Sequence, residues 1–247
     1  MKDHVGIAGL GIYIPDNYMT AKEISEATKG EWAEEAVIEK LGINKKPIPG
    51  PNDGTEEMGY RAAKDLIDTH NIDPMSIDMI ISIGEEWKEY PLTTSAIYIQ
   101  EKIGAYNAFA FDLQQRCCTN ITAMKVAKDM MLANEDINTV LICGGYRNGD
   151  HIDFTNSRVS FMFNLSAGGG AILLKKNYGR NQLLETSIMT DGSFARDVAV
   201  RYGGTVNPIT EENVHLASKT LDVFDVEGMK SRLNEKSTPN FLFVIRD

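Results

Sequence analysis

Cysteine is scarce in this chain. Cys117, Cys118 and Cys143 are its three cysteines, and no Cys-x-x-Cys spacing occurs, which excludes a disulfide framework and a thiolate zinc site. Adjacent cysteines rarely cross-link each other, so the thiols read as reduced, with one a candidate for reactivity. Long hydrophobic runs are also missing. Nothing approaches the roughly 18 apolar residues of a membrane helix, and the N-terminus enters a strand-like stretch at Val5 without signal-peptide anatomy. A cytoplasmic location is the expectation. Positive charge is in deficit: 25 Lys and Arg against 35 Asp and Glu give a formal net charge of -10, which argues against nucleic acid or an anionic membrane as the main partner.

What remains is an ordinary globular composition, 43% hydrophobic and 24% charged, in 247 residues, enough for one large domain or two unequal ones. Val5 to Ile14 predicts a strand, turned by Pro15-Asp16-Asn17. Thr20 with Glu23 makes a capping box for a short helix, and Thr55 starts a second whose apolar stripe runs Met58, Ala62, Ala63, Leu66, Ile67. Further strands are expected at Ile77 to Ile83, Ala108 to Leu113, Thr139 to Cys143, Ala171 to Leu174 and Leu183 to Met189. Helices are expected at Thr94 to Ile103 and Cys117 to Leu132, around Val226 to Leu233, and again from Ser237-Thr238-Pro239. Apolar strands alternating with helices indicate the α/β class with a mostly parallel sheet covered on both faces. A domain boundary is expected near residue 178, dividing 1–178 from 179–247.

The informative junction is Asp112-Leu113-Gln114-Gln115-Arg116-Cys117-Cys118. A strand ending near Leu113 and a helix beginning near Cys117 would set a thiol beside the unsatisfied N–H groups of a helix start, which favours the thiolate. Two small buried hydrophobes are the alternative reading of the same residues. Gly6-x-x-Gly9-x-Gly11 lies within a strand with no helix after it, so it fails as a dinucleotide loop. Ser166 to Gly170 reads as tight strand packing, with anion binding by its backbone as the weaker alternative.

Ala108 to Leu113, with Cys117 five residues after Asp112, resembles the active-site segment of β-ketoacyl-[acyl carrier protein] synthase III, a condensing enzyme of the thiolase superfamily. Val5 to Pro15 resembles that family's opening strand, Glu31-Trp32 with Leu41-Gly42-Ile43 its Trp-containing segment, and Gln100 to Gly104 the end of a helix. Ala167 to Leu174 is similar to its Gly-rich turn, and Asp191-Gly192-Ser193 to the start of its second half. The resemblance implies a thiolase-like fold, layered α/β/α/β/α, with the N-terminal half complete and the C-terminal half incomplete. It implies Cys117 as the nucleophile acylated by acyl-CoA, followed by decarboxylative condensation with malonyl on acyl carrier protein. It also implies Trp32 as a CoA contact, no metal or organic cofactor, and a homodimer formed through the N-terminal half.

Departures from the pattern accompany it. Gln114, Gln115 and Arg116 precede Cys117 where the family places small residues, Ala167 replaces a common Asp, and Asp225 stands where a basic residue is usual. Lys125, Lys128, Lys230 and Arg232 are the candidates for a patch that docks an acidic carrier. The family's catalytic His and Asn belong to motifs that this chain does not contain, and His4, His70, His151 and His215 read as surface or capping residues. A second resemblance, to hydroxymethylglutaryl-CoA synthases, would make Glu86 a general base; the other reading of Glu85 and Glu86 is a solvated acidic loop continuing to Lys88 and Glu89. A non-catalytic truncated homologue or partner subunit is the reading outside the enzyme classes.

Overall fold

The computed structural model describes residues 3–84 and 87–246. By its internal contacts the chain forms two compact units, neither continuous in sequence: one of residues 1–18, 47–147 and 166–186, the other of 19–46, 148–165 and 187–247. Residue 178, the expected boundary, falls inside the last segment of the first unit.

The first unit is built on a five-stranded sheet of β1 (Val5–Tyr13), β4 (Met79–Ile83), β5 (Phe109–Leu113), β6 (Thr139–Tyr146) and β7 (Gly168–Lys176), in the order β1-β7-β6-β4-β5. Two shorter strands, β2 (Asn17–Thr20) and β3 (Lys45–Ile48), pair as a separate ribbon. β4 runs parallel to both β5 and β6, whereas β7 is antiparallel to β6 and β1. The sheet is therefore mixed, not mostly parallel. The cause is local: β6 to β7 carries no crossover helix of the kind a parallel pair needs, and the intervening 148–165 belongs to the other unit.

Both faces are covered, which explains the continuous apolar runs. Ile80, Leu141, Cys143 and Leu173 pack against Ala62, Leu66 and Ile99, contributed by α3 (Thr55–His70) and α4 (Ser95–Ile103). Met79, Ile81, Val140 and Ile142 face the other way, onto Ala123, Ala127 and Met131 of α5 (Thr119–Ala133). α3 lies unusually close to the sheet. A Cβ on Gly169 would stand 2.2 Å from the Met58 carbonyl oxygen, and one on Gly11 2.3 Å from that of Ala62. The glycines read as a turn begin strand β7, and the tight packing expected of them occurs at Gly169, against helix α3 and not between strands.

In the second unit, α1 (Ala21–Ala27) carries the expected capping box, and with α2 (Glu34–Leu41) it buries Ile24 and Val37 against Val159, Phe163 and Val223. Two short strands, β8 (Val198–Val200) and β9 (Leu221–Val223), pair antiparallel. Two expectations fail beyond residue 180. Leu183 to Met189 is no strand; only an isolated bridge joins Gln182 to Gly6, and Leu184 is left exposed. Nor does a new helix start at Ser237: α6 (Val226–Arg246) runs through Pro239 without a break. α6 buries no residue, so Pro239 removes one backbone bond from a solvated helix and the helix tolerates it.

Candidate active site

The carboxyl ends of β4 and β5, with the segments leaving them, form the site. β5 ends at Leu113, and the chain passes through Gln114 and Gln115 into a 3-10 turn, Arg116–Cys118, before α5 begins. Cys117 lies in that turn and is exposed, as is Cys118. Neither the expected start of the helix at Cys117 nor the alternative of two buried cysteines holds, because α5 begins at Thr119 and enters the core only with Thr119, Ala123, Ala127 and Met131. Buried Thr119 pins the turn. Its hydroxyl donates to the Arg116 carbonyl at 2.6 Å and accepts the Gln115 N–H at 2.8 Å, while the Cys118 N–H donates to the Gln115 carbonyl at 3.2 Å. Arg116 adopts a left-handed φ of 51°, an uncommon conformation for a residue other than glycine.

Asp112, five residues before Cys117, caps a helix to which it does not belong. Its carboxylate accepts the Ser95 N–H at 3.0 Å and the Ala96 N–H at 2.8 Å, at the N-terminus of α4, where Thr94 makes no side-chain cap. Lys88 completes the group through an ion pair with Asp112 and a bond to the Thr93 carbonyl. Glu89 does the same for α3: its carboxylate accepts the N–H groups of Glu56 and Glu57 and the Thr55 hydroxyl, where the N-cap is Gly54. Glu56 is itself buried, accepting from the hydroxyls of Thr93 and Ser95. Lys88 and Glu89 are therefore half-buried structural charges, not the solvated acidic loop their composition suggests. A small pocket opens at these strand ends, lined by Thr55, Ser82, Lys88, Ser95, Asp112 and Gln114 together with apolar Ile83 and Leu113.

Cys143 shares the sheet but not the chemistry. It is buried on β6, and burial, aided by the Asp112 charge, pushes its thiol up to about 12, which leaves it protonated and inert. The remaining nucleophile candidates are thus Cys117 and Cys118. Among the described residues no cluster of three or more His, Cys, Asp or Glu is arranged to hold a metal ion.

Residues 111–192, which contain this turn, match the family model of 3-oxoacyl-[acyl-carrier-protein (ACP)] synthase III. The chain is also 30% identical over 216 residues to a β-ketoacyl-[acyl-carrier-protein] synthase III of Azobacteroides pseudotrichonymphae, an alignment covering 87% of this chain and 63% of that protein. Both matches point to the 3-oxoacyl-ACP synthase III family. The chain spans less than two thirds of that relative's length. Among solved structures it is similar to a 3-oxoacyl-ACP synthase III (TM-score 0.79, 20% identity, 94% of this chain and 71% of that one). It is similar as well to the priming β-ketosynthase of the R1128 polyketide pathway (TM-score 0.76, 20% identity, 96% and 67%). These likenesses bear out the thiolase-like α/β fold.

The other residues singled out in the sequence are not among the described residues that line this pocket. Trp32 belongs to the second unit, half-buried with its ring edge-on to Phe163 at 6.0 Å, so it serves that unit's core. Glu86 lies outside the described residues. No histidine among the described residues hydrogen-bonds to Cys117; His151, for one, contacts the Lys219 carbonyl through Nδ1 at 2.7 Å. Of the basic candidates, Lys125 pairs with Asp129, Arg232 with Asp197 and Asp225, and Lys128 bonds the Leu184 carbonyl, so most of that charge is already engaged. No helix among the described residues is long and apolar enough to cross a membrane.

Proposed function

We propose that this chain is an acyltransferase of the β-ketoacyl-ACP synthase III type with Cys117 as its nucleophile. The observation that carries the reading is an exposed cysteine, in the family's matched segment, on a turn held by Thr119 at the carboxyl end of the parallel strand β5. Strand ends of this kind are where open α/β sheets place reacting groups. The Cys117 sulfur attacks the thioester carbonyl of acyl-CoA, the carbon–sulfur bond to CoA breaks, and CoA leaves with the thiol proton. Loss of CO2 from a malonyl group on acyl carrier protein then gives a carbanion, which attacks the acyl-enzyme and expels the Cys117 thiolate. The Cys117 N–H is the proposed oxyanion donor. No organic cofactor or metal enters these steps.

The reading includes a cytoplasmic setting, in which exposed thiols stay reduced, and a homodimer through the N-terminal half. β5 is one edge of the five-stranded sheet, paired among the described strands with β4, and Phe109 on it is 46% exposed. An edge of this kind is suited to strand addition by a second copy. The test of function is incubation with a radiolabelled acyl-CoA followed by peptide mapping. Label on Cys117, lost in Cys117→Ala, is expected; label on Cys118 or Cys143 overturns the assignment.

A further inference from the structure

Cys118 has no role in the acyl-transfer scheme, yet it shares its neighbour's exposure, and the turn holding both thiols stands outside the core. From this juxtaposition we propose that Cys117 and Cys118 form a peroxide-sensitive dithiol, in which Cys118 resolves oxidised Cys117 as a reversible vicinal disulfide. The Cys117 thiolate attacks one peroxide oxygen, the O–O bond breaks, and the departing oxygen takes a proton to leave as water. Cys117 is then a sulfenic acid. Cys118 sulfur attacks the Cys117 sulfur, the S–O bond breaks, and hydroxide leaves as water with the Cys118 proton. In sum two thiols lose two electrons and two protons, and one hydrogen peroxide becomes two waters.

Three features of the chain favour this path. First, consecutive residues cannot separate, so the resolving thiol is always at hand and competes with a second peroxide. Second, Cα atoms across one trans peptide are about 3.8 Å apart, below the roughly 4.4–6.8 Å of ordinary disulfides, so the linkage is strained and easily reduced, a property of regulatory rather than structural bonds. Third, the side chains of Arg116, Cys117 and Cys118 are all exposed and the core begins at Thr119, so closing the ring displaces no packed side chain. Cys143, buried on β6, is not available as a partner. The consequence for activity rests on the reading of Cys117 as the acylated nucleophile: the disulfide would block acylation until a thiol reductant restores it.

The experiment treats the full chain with hydrogen peroxide and reads tryptic peptides. Cleavage after Arg116 and Lys125 leaves both cysteines on one peptide, 117–125, and cleavage after Lys128 puts Cys143 on another. Wild type is expected to yield peptide 117–125 lighter by two hydrogens, restored by dithiothreitol together with acyl-CoA labelling. Cys118→Ser is expected to retain acylation but to progress at the same peroxide dose to a Cys117 sulfinic acid that dithiothreitol does not rescue. Equal, thiol-resistant oxidation of Cys117 in both proteins overturns the proposal, as does a disulfide between two copies of the chain. If the lighter peptide forms but reduced protein takes no acyl label, the dithiol stands and the nucleophile assignment falls.

Discussion

Glu89 closes the N-terminus of α3 from outside the helix, accepting the Glu56 N–H at 2.7 Å. The fit is reciprocal with Gly54, because a Cβ at that position would stand 1.9 Å from Glu89 Oε1. Helix, cap and loop are shaped to one another at the rim of the pocket.

Glu89→Ala is expected to lower stability by about 1–2 kcal/mol, the usual cost of a lost cap with a favourable helix-dipole charge. Gly54→Ala displaces the same carboxylate and should cost a similar amount. Because both changes remove one interaction, the double variant should lose little more than either single one in urea unfolding. Fully additive losses would show that the two residues act separately.

Gly169→Ala should be far more harmful than Gly170→Ala. The first places a methyl 2.2 Å from the Met58 carbonyl oxygen, whereas a Cβ on Gly170 meets nothing within 4 Å. Overpacking costs about 1–3 kcal/mol or more, while alanine for glycine in an open strand position is neutral or gains up to about 1 kcal/mol. Thermal melting of the two variants separates them, and equal melting temperatures would contradict the close approach of α3.

Lys46 gives a pH dependence with a definite sign. Its ammonium is buried in the second unit, donating to the Phe163 and Leu165 carbonyls and lying 4.9 Å from the Phe154 ring centroid, and burial lowers its pKa to about 8. Between that value and an unfolded lysine's roughly 10.4, the unfolded chain binds the extra proton, so stability contributed at this site rises with pH. The urea midpoint of wild type relative to Lys46→Met should therefore increase from about pH 7 to about pH 10. A constant or falling difference would place the lysine in water.

Phe109→Arg puts a charge on the exposed edge strand and is expected to shift the protein from dimer to monomer in sedimentation velocity, without changing its unfolding midpoint at low concentration. A monomeric wild type at every concentration tested would remove β5 as a dimer edge.

Much of the first unit was legible in the sequence because its signals are local. The stripe from Met58 to Ile67 and the apolar runs of β4 and β6 each record burial by their own residues. Strand direction leaves no such record, which is why a mixed sheet read as mostly parallel. Cys117 was singled out as the candidate nucleophile through resemblance; its exposure was not legible, since α5 starts at Thr119 and nothing in Cys117-Cys118 marks a 3-10 turn. Glu89 and Asp112 were missed as caps for a different reason. They act on helices 33 and 17 residues away in sequence, so the cap and the N–H groups it serves never share a motif.

The glycine seam under α3 also governs how this scaffold can diversify. Where glycine lets helix and strand meet backbone to backbone, the separation at that point is set by van der Waals radii. Thr55 and Gly145 line the pocket from either side of that seam, so this part of the wall is a fixed gauge. Variation in this pocket would have to come from side chains elsewhere in its wall, such as Lys88, Asp112 and Gln114.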